Sequence, residues 1–219
     1  MIAAILKETT LGENRVAATP KTVKELIKSG LTVRIQSEAG KASFSSDQDY
    51  IDAGAEVISD ISSLYNNVNI VLKVAPATIE EIESFPNGTA YVSLIQTTRQ
   101  SQQVQKLTEK NITGFSMYLI PRTSLAQSMD ALSSQANIAG YKSVLMGATH
   151  LPVYMPLLMT AAGTIPPAKV LILGAGVAGL QAIATAKRLG AQVEAFDVRP
   201  EVKEQVESLG AKFVEVASD

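Results

Sequence analysis

The feature that most constrains the fold is a glycine-rich turn between an apolar strand and a helix of small residues. The predicted strand Lys169–Leu173 leads into this turn, and the predicted helix runs from Leu180 to Leu189. In such a unit the first glycine permits a tight turn, the second lets the backbone approach a pyrophosphate, and the third lets the helix pack on the strand. The amides and the dipole at the start of the helix favour a phosphate. The pattern predicts a dinucleotide or adenosine site with contacts at Gly174, Ala175, Gly176, Val177 and Gly179.

A carboxylate follows the next predicted strand. Gln192–Phe196 ends at Asp197, which lies 18 residues beyond Gly179. A carboxylate at this place accepts hydrogen bonds from both hydroxyls of an adenosine ribose and repels the 2′-phosphate of NADP, so the sequence favours NAD. The predicted cofactor-binding set also includes Val198 and Arg199. The Arg199 guanidinium can bind the 2′-phosphate of NADP. A solvated charge before a helix start is the simpler interpretation of this residue.

Two other interpretations of this pattern stay open. An S-adenosylmethionine-dependent methyltransferase has a similar glycine turn and ribose carboxylate, and a glycine turn can also be purely structural. The helix that ends before Gly190 and the strand that ends before Asp197 supply the context that favours the dinucleotide interpretation.

The rest of the chain alternates short β-branched strands with helices, which is typical of parallel α/β proteins. Between the first two strands, Thr19 and Pro20 predict a helix start and Gly30 predicts its end. Other helices are predicted over Ile79–Ser84, Gln100–Lys110 and about Pro200–Leu209. The predicted strands are Ile2–Leu6, Leu31–Gln36, Asn69–Val74, Ala90–Ile95, Ile112–Met117 and Lys212–Val216. We expect two Rossmann-like units with parallel sheets, the second carrying only the first half of a doubly wound sheet.

An uncharged segment separates the two predicted units. A helical pattern from about Ser124 to His150 leads into Leu151–Ala168, which has 18 residues and no charge. This length approaches that of a membrane span, but repeated prolines and a glycine would break a helix and leave backbone polar groups unpaired in lipid. We therefore expect a buried linker that acts as a hinge, without membrane insertion. The expected domains are an N-terminal α/β domain over 1–135 and a nucleotide-binding domain over 136–219.

The residue inventory excludes much catalytic chemistry. The 219 residues contain no cysteine and one histidine, which excludes disulfides, thiolate nucleophiles and three-histidine metal sites. We expect no metal site. The net charge of -2 argues against a nucleic-acid partner. Residues Met1–Glu8 lack a basic segment followed by a long apolar core, so they predict a first strand and no signal peptide.

A polar segment, Pro121–Tyr141, follows a predicted strand and enters the long helical pattern. It contributes a guanidinium, an amide, a carboxylate and a hydroxyl from Arg122, Gln127, Asp130 and Ser133. Such groups can orient a carboxamide ring and a ribose without acid–base chemistry. The same residue types also cap and solvate a helix start, and local rules leave both interpretations open.

Several stretches of the chain match one family together. They are Arg15–Pro20, Pro121–Tyr141, Thr160–Pro167, Gly174–Gly179 and Asp197–Pro200. With them, essentially the whole chain resembles the NAD(H)-binding domain of proton-translocating NAD(P) transhydrogenases, which share their fold with alanine dehydrogenase. The resemblance implies two Rossmann-like subdomains with NAD in the cleft between them. It also implies that Arg122, Gln127 and Asp130, with Ser133, hold the nicotinamide and its ribose and act by positioning.

The resemblance also implies a reaction and partners. In that family NADH passes a hydride directly to NADP on a separate domain, and a membrane domain couples the exchange to proton movement. The implied cofactors are NAD(H) on this chain and NADP(H) on the partner domain. The implied partners are that domain, the membrane proton-channel domain and a second copy of the chain in a homodimer. The implied location is the cytoplasmic face of a bacterial membrane, or the matrix side in mitochondria.

Alanine dehydrogenase is the close alternative. That enzyme is recognised by a catalytic histidine just after its fourth strand, where this chain has Gln96, and a glutamine cannot shuttle a proton. Arg15 and Lys73 match residues that bind pyruvate in alanine dehydrogenase, but transhydrogenases carry them too. A strand-end lysine that reaches solvent is an equal interpretation of Lys73. A non-catalytic nucleotide-sensing or assembly module is the third interpretation.

Two departures from the family pattern qualify these expectations. Leu125 stands where the family usually has arginine, which weakens an expected contact with the partner's NADP or the NAD phosphate. The family's mobile loop and the helices that complete the first subdomain are expected beyond Asp219. We therefore expect the chain to be part of a longer protein, to bind NAD weakly and to be inactive alone.

Overall fold

Two units make up residues 1–216, the part of the chain that the computed structural model describes. The first unit covers Met1–Gln127 and the second begins at Ser128. Each unit has its own parallel sheet, which confirms the predicted α/β class with two Rossmann-like units.

Within residues 1–127, six strands form one parallel sheet in the order β3-β2-β1-β4-β5-β6, which is the strand order of a doubly wound fold. The strands are β1 (Ile2–Ile5), β2 (Thr32–Gln36), β3 (Glu56–Ile58), β4 (Ile70–Leu72), β5 (Ala90–Ser93) and β6 (Thr113–Ser116). Ala3 of β1 lies opposite Val33 on one side and Ile70 on the other. Residues Ala3 to Ile5 are buried, as expected for a central parallel strand covered on both faces.

Four of the five α-helices of the first unit begin at a side chain that caps them, and the fifth has no capping hydrogen bond from its N-cap residue, Gln100. The five helices are α1 (Pro20–Lys28), α2 (Asp47–Asp52), α3 (Ile61–Leu64), α4 (Ile79–Ser84) and α5 (Ser101–Glu109). The Thr19 side chain accepts from the Thr22 amide at the start of α1, and Gly30 has a φ of 91° just after its end, as the sequence predicted. Three short elements, α2, β3 and α3, are absent from the elements predicted from the sequence. The capping box at Ser46 and Asp49 was the available signal for α2.

A buried charge cluster occupies the switch point of this sheet, between the carboxyl ends of β1 and β4. The Glu8 carboxylate accepts from the Val74 amide at 2.6 Å and from the Ala75 amide at 3.2 Å. The Lys73 ammonium is fully buried and lies 2.7 Å from Glu81 Oε2 and 3.8 Å from Glu8 Oε2. Burial raises the pKa of Glu8, and the Val74 amide and Lys73 offset part of this effect. The interpretation of Lys73 as a lysine that reaches solvent is therefore wrong.

Within residues 128–216, three parallel strands form the sheet β11-β10-β9. The elements in chain order are α6 (Ala131–His150), β7 (Leu158–Thr160), β8 (Gly163–Ile165), β9 (Lys169–Leu173), α7 (Val177–Arg188), β10 (Gln192–Phe196), α8 (Lys203–Ser208) and β11 (Lys212–Phe213). Val170 of β9 lies opposite Val193 of β10. Helix α7 buries Ala182, Ile183 and Ala186 in the core of this unit.

The uncharged segment differs from its prediction. Strands β7 and β8 form a two-stranded antiparallel hairpin in which Leu158 lies opposite Ile165. Met159 is 70% exposed and Leu157 is 53% exposed, so the prediction of a buried linker is wrong. Apolar composition alone does not show whether another surface covers a segment. No helix among residues 1–216 is long and apolar enough to cross a bilayer.

The buried charge cluster predicts a large stability loss on substitution of Lys73. We expect Lys73→Ala to lower the free energy of unfolding by about 3–5 kcal/mol, because Glu81 and Glu8 are left without their buried cation. Urea denaturation followed by circular dichroism measures this change.

The matched control is Lys41→Ala. Lys41 contacts Glu38 at 2.7 Å on the surface, where its side chain is 74% exposed. We expect this substitution to move the urea midpoint very little, because exposed ion pairs contribute little. Equal midpoints for the two variants would contradict a stabilising role of the buried cluster.

Candidate nucleotide-binding site

The turn after β9 has a conformation that requires glycine. Gly174 has a φ of 96°, in the left-handed region that side chains with a Cβ disfavour. The Gly174 amide donates to the Phe196 carbonyl at 2.8 Å and so connects the turn to β10. The turn and the carboxyl end of β10 therefore lie side by side.

The other two glycines of the motif lie in opposite environments. A Cβ at Gly179 would overlap the carbonyl oxygen of Gly174 and lie 2.8 Å from its carbonyl carbon, so α7 touches the turn directly. A Cβ at Gly176 would meet no atom within 4 Å. Gly179 thus permits close packing, whereas the missing side chain of Gly176 leaves an open approach to the backbone.

Helix α7 offers amides toward this open space. Gly176 is its N-cap and supplies no side-chain hydrogen bond to the first turn. The first amides of a helix have no carbonyl partner within the helix, and the dipole is positive at this end. The helix begins at Val177, so its predicted start at Leu180 is three residues late. Val177 and Gly179 therefore belong to the first turn, where an anion would bind.

Asp197 is joined to this turn by a hydrogen bond. The Ala175 amide donates to Asp197 Oδ2 at 2.7 Å, and the Asp197 side chain is only 6% exposed. The guanidinium of Arg199 contacts both carboxylate oxygens at 3.0 Å. Hydrogen bonds from Arg199 and then from the Ala175 amide hold the pKa of Asp197 well below its usual range. Arg199 is half exposed but paired, so its interpretation as a merely solvated charge is wrong.

A cleft of about 270 Å³ lies over these groups. It is lined by Leu173, Gly174, Phe196, Asp197 and Val198. The side chains of Leu173 and Val198 are 75% and 82% exposed, which places apolar surface beside the carboxylate. An adenosine presents an apolar ring and a pair of ribose hydroxyls, so these residues fit it. The open position at Gly176 and the amides of α7 fit the adjoining phosphates.

The predicted nicotinamide residues of the second unit cap a helix. Asp130 begins α6, where its Oδ1 accepts from the Ser133 amide at 2.9 Å and its Oδ2 from the Ser133 hydroxyl at 2.6 Å. The capping interpretation thus holds for this pair, and the bonds fix the carboxylate in place.

Helix α6 also contacts the start of α7, which the sequence analysis missed. The Asn137 side-chain amide donates to Gln181 Oε1 at 3.2 Å. A Cβ at Gly140 would overlap the carbonyl oxygen of Ala178, so the two helices touch at this point. A glycine inside a long helix was the available signal, because glycine costs helix stability unless close packing requires it.

The other two predicted nicotinamide residues belong to the first unit. Arg122 and Gln127 are exposed, and Gln127 lies in the 3₁₀ turn Ser124–Met129. The long helix predicted to start at about Ser124 therefore starts only at Ala131. Leu125 in the same turn is 93% exposed.

A second cavity, of about 220 Å³, lies in the first unit. Its lining includes Arg15, Gln96, Arg99 and Tyr118. Arg15 Nη2 lies 2.6 Å from Glu13 Oε2, so this cation already contacts a carboxylate of the chain. Lys73 is directed to Glu81 instead. No group of three or more His, Cys, Asp or Glu within residues 1–216 is arranged to hold a metal.

Comparison with known proteins places this geometry in a family. Residues 4–139 match the family model "Alanine dehydrogenase/PNT, N-terminal domain", and residues 143–219 match the corresponding C-terminal domain. NAD(P) transhydrogenase subunit alpha of Haemophilus influenzae is 47% identical over 99% of this chain. The crystal structure of transhydrogenase from Sinorhizobium meliloti is 44% identical over 99% of the chain, with a TM-score of 0.94. An L-alanine dehydrogenase structure is 27% identical over 97% of it, with a TM-score of 0.86.

The match extends over nearly all of this chain but over only part of the relatives. The chain spans 42% of the Haemophilus influenzae protein, 62% of the Sinorhizobium meliloti structure and 60% of the L-alanine dehydrogenase structure. The two family models together cover most of both units, and the range of the C-terminal model includes the glycine turn and Asp197. The chain belongs to the alanine dehydrogenase/PNT family.

Proposed function

We propose that this chain is the NAD(H)-binding component of an NAD(P) transhydrogenase. The observation that carries the proposal is the hydrogen bond between the Ala175 amide and Asp197, which joins the open glycine turn to the carboxylate at the end of β10. The greater identity to transhydrogenases, 47% and 44%, than to the L-alanine dehydrogenase structure, 27%, supports the same choice.

Different residues of the second unit bind the pyrophosphate, the ribose and the adenine of the dinucleotide. The amides at the start of α7 bind the pyrophosphate, and Gly176 leaves room for it. Asp197 accepts hydrogen bonds from the adenosine ribose and disfavours a 2′-phosphate, so NAD(H) is preferred over NADP(H). Val198 and Leu173 contact the adenine.

The polar residues of the segment Pro121–Tyr141 position the nicotinamide end of the dinucleotide. Arg122, Gln127 and Asp130 orient the carboxamide and the ribose next to it, and Ser133 holds the Asp130 carboxylate in place. The bound dinucleotide supplies a hydride at its nicotinamide ring. Because a direct hydride transfer releases no proton, these residues need no general acid or base, which agrees with the absence of a nucleophile–base pair in the segment.

The acceptor is NADP+ on a partner domain. A membrane proton-channel domain of the same complex couples the exchange to proton translocation, and the chain works at the cytoplasmic face of that membrane. These assignments follow the resemblance to proton-translocating transhydrogenases, and the name subunit alpha of the Haemophilus influenzae relative supports the existence of further subunits.

Alanine dehydrogenase activity is the alternative, and the first unit argues against it. Gln96 lines the cavity of that unit and cannot transfer a proton at neutral pH. Arg15 is paired with Glu13 and Lys73 with Glu81, so both cations already have carboxylate partners.

The second unit also exposes an apolar surface at its two-stranded hairpin. In this hairpin, β7 pairs with β8, and the side chains of Leu157, Met159 and Ile165 are exposed. The absence of charge over Leu151–Ala168 leaves this surface without the solvated groups that usually cover an exposed strand. We propose that it contributes to a homodimer.

A glycine substitution tests the nucleotide site without disturbing the fold. We expect Gly176→Ala to keep the wild-type melting temperature, because its Cβ has open space. It should weaken NADH binding about tenfold or more, because the methyl group occupies the approach to the pyrophosphate. NADH fluorescence titration measures the Kd.

Gly147→Ala is the matched control for this substitution. Gly147 is also a glycine with open space for a Cβ, but it lies in α6 outside the cleft. We expect its NADH Kd to equal that of the wild type. An unchanged Kd in Gly176→Ala would refute the site at this turn.

Two assays separate the candidate reactions. We expect hydride exchange from NADH to an NADP+ analogue when the chain is combined with an NADP-binding transhydrogenase domain, followed by absorbance of the reduced analogue. We expect no NADH oxidation with pyruvate and ammonium, because Gln96 cannot supply the proton that reductive amination needs. NADH oxidation in the second assay would favour an alanine dehydrogenase, and NADH binding without activity in either assay would favour a sensor.

A charge placed on the β7–β8 hairpin tests its role in the proposed homodimer. We expect Met159→Asp to shift the chain from dimer to monomer in light scattering coupled to gel filtration, because the aspartate would be desolvated in an apolar contact. Leu11→Asp, at a fully exposed position of the first unit, is the control and should leave the dimer intact. A monomeric wild-type chain would rule out this interface.

A further inference from the structure

The Asp197 carboxylate is saturated with hydrogen bonds from this chain. A carboxylate has about four acceptor positions. Among residues 1–216, four donors occupy them: the amides of Ala175 and Arg199, and Nε and Nη2 of the Arg199 guanidinium. Two ribose hydroxyls therefore cannot bind to this carboxylate until two of the four donors leave.

The two guanidinium bonds are the ones that can be exchanged. The Ala175 amide is part of the turn that Gly174 fixes to β10, and the Arg199 amide follows Asp197 by two residues along the chain. By contrast, the Arg199 side chain is 51% exposed and can move into solvent. When the two ribose hydroxyls replace the two guanidinium bonds, the Asp197 carboxylate keeps its two amide donors and again has four hydrogen-bond donors.

We propose that Arg199 is a latch that sets the dinucleotide specificity of this site. Its guanidinium holds the Asp197 carboxylate in the free protein and is displaced by the two ribose hydroxyls of NAD. The proposal rests on the proposed function, since it places an adenosine ribose at Asp197.

The latch acts on NADH and NADPH in opposite directions. For NADH, Arg199 competes with the ribose hydroxyls and weakens binding. For NADPH, Arg199 offsets the repulsion between Asp197 and the 2′-phosphate and offers that phosphate a bidentate donor. The specificity of the site for NAD is thus lower than an aspartate alone would give.

The test is a comparison of NADH and NADPH Kd values, at one low ionic strength, for the wild type and Arg199→Ala. We expect the substitution to tighten NADH binding about two- to fivefold, because the ribose hydroxyls no longer have to displace the guanidinium from Asp197. We expect it to weaken NADPH binding by a similar factor or more. Arg199→Lys keeps the charge without the bidentate geometry and should give intermediate values for both cofactors.

A double-mutant cycle assigns the effect to Asp197. In Asp197→Asn the carboxylate is absent, so adding Arg199→Ala should no longer tighten NADH binding. An independent readout without cofactor is the NMR titration of the Asp197 carboxyl carbon. In Arg199→Ala its pKa should rise toward the ordinary value, because the main hydrogen-bond donor is lost.

The possible results distinguish a failure of the Arg199 latch from a failure of the NAD site. Weaker binding of both cofactors in Arg199→Ala would show that the side chain supports or contacts both, and it would overturn the latch while leaving the NAD site intact. An unchanged Asp197 titration in Arg199→Ala would show that the pair does not form in solution, which also overturns the latch. Wild-type protein that binds neither cofactor would overturn the proposed function and the latch together.

Discussion

The nucleotide site depends on the direct contact between α7 and the turn before it. Because Gly179 has no Cβ, the first turn of the helix lies against the carbonyl of Gly174. This approach directs the free amides of α7 to the space beside Asp197 and lets the Ala175 amide reach the Asp197 carboxylate. A larger residue at Gly179 would move the helix, and the phosphate and ribose sites would no longer lie together.

The two units differ at the carboxyl end of their first parallel strand. In the first unit, Glu8 binds the amides of Val74 and Ala75, and Lys73 lies buried beside it, so the switch point is filled by charges of the chain itself. In the second unit, glycines leave the backbone open at the corresponding turn. Backbone donors at the end of a parallel strand attract an anion in both units. Each unit supplies a carboxylate of its own to such donors, Glu8 in the first and Asp197 in the second, and the second unit also leaves the backbone open at Gly176.

Local signals predicted the elements well where a capping residue or a glycine was decisive. Thr19 and Pro20 start α1, and Gly174 adopts the positive φ of a tight turn. The prediction failed for the segment Leu151–Ala168, because its apolar composition is compatible with a covered linker and with an exposed hairpin. For Lys73, the interpretation as a lysine that reaches solvent was wrong, because Lys73 contacts Glu81 eight residues further on and lies near Glu8, which is distant in sequence.

The sequence by itself determined the α/β class, the glycine turn and the aspartate at the end of the next strand, because these features follow from backbone sterics and local spacing. The tertiary structure decided which donors surround each charge. The Ala175 amide donates to Asp197, Glu8 lies beside Lys73, and Gly140 admits the start of α7. Such contacts depend on the distances between elements that are separated along the chain, and residue types and spacing do not contain those distances.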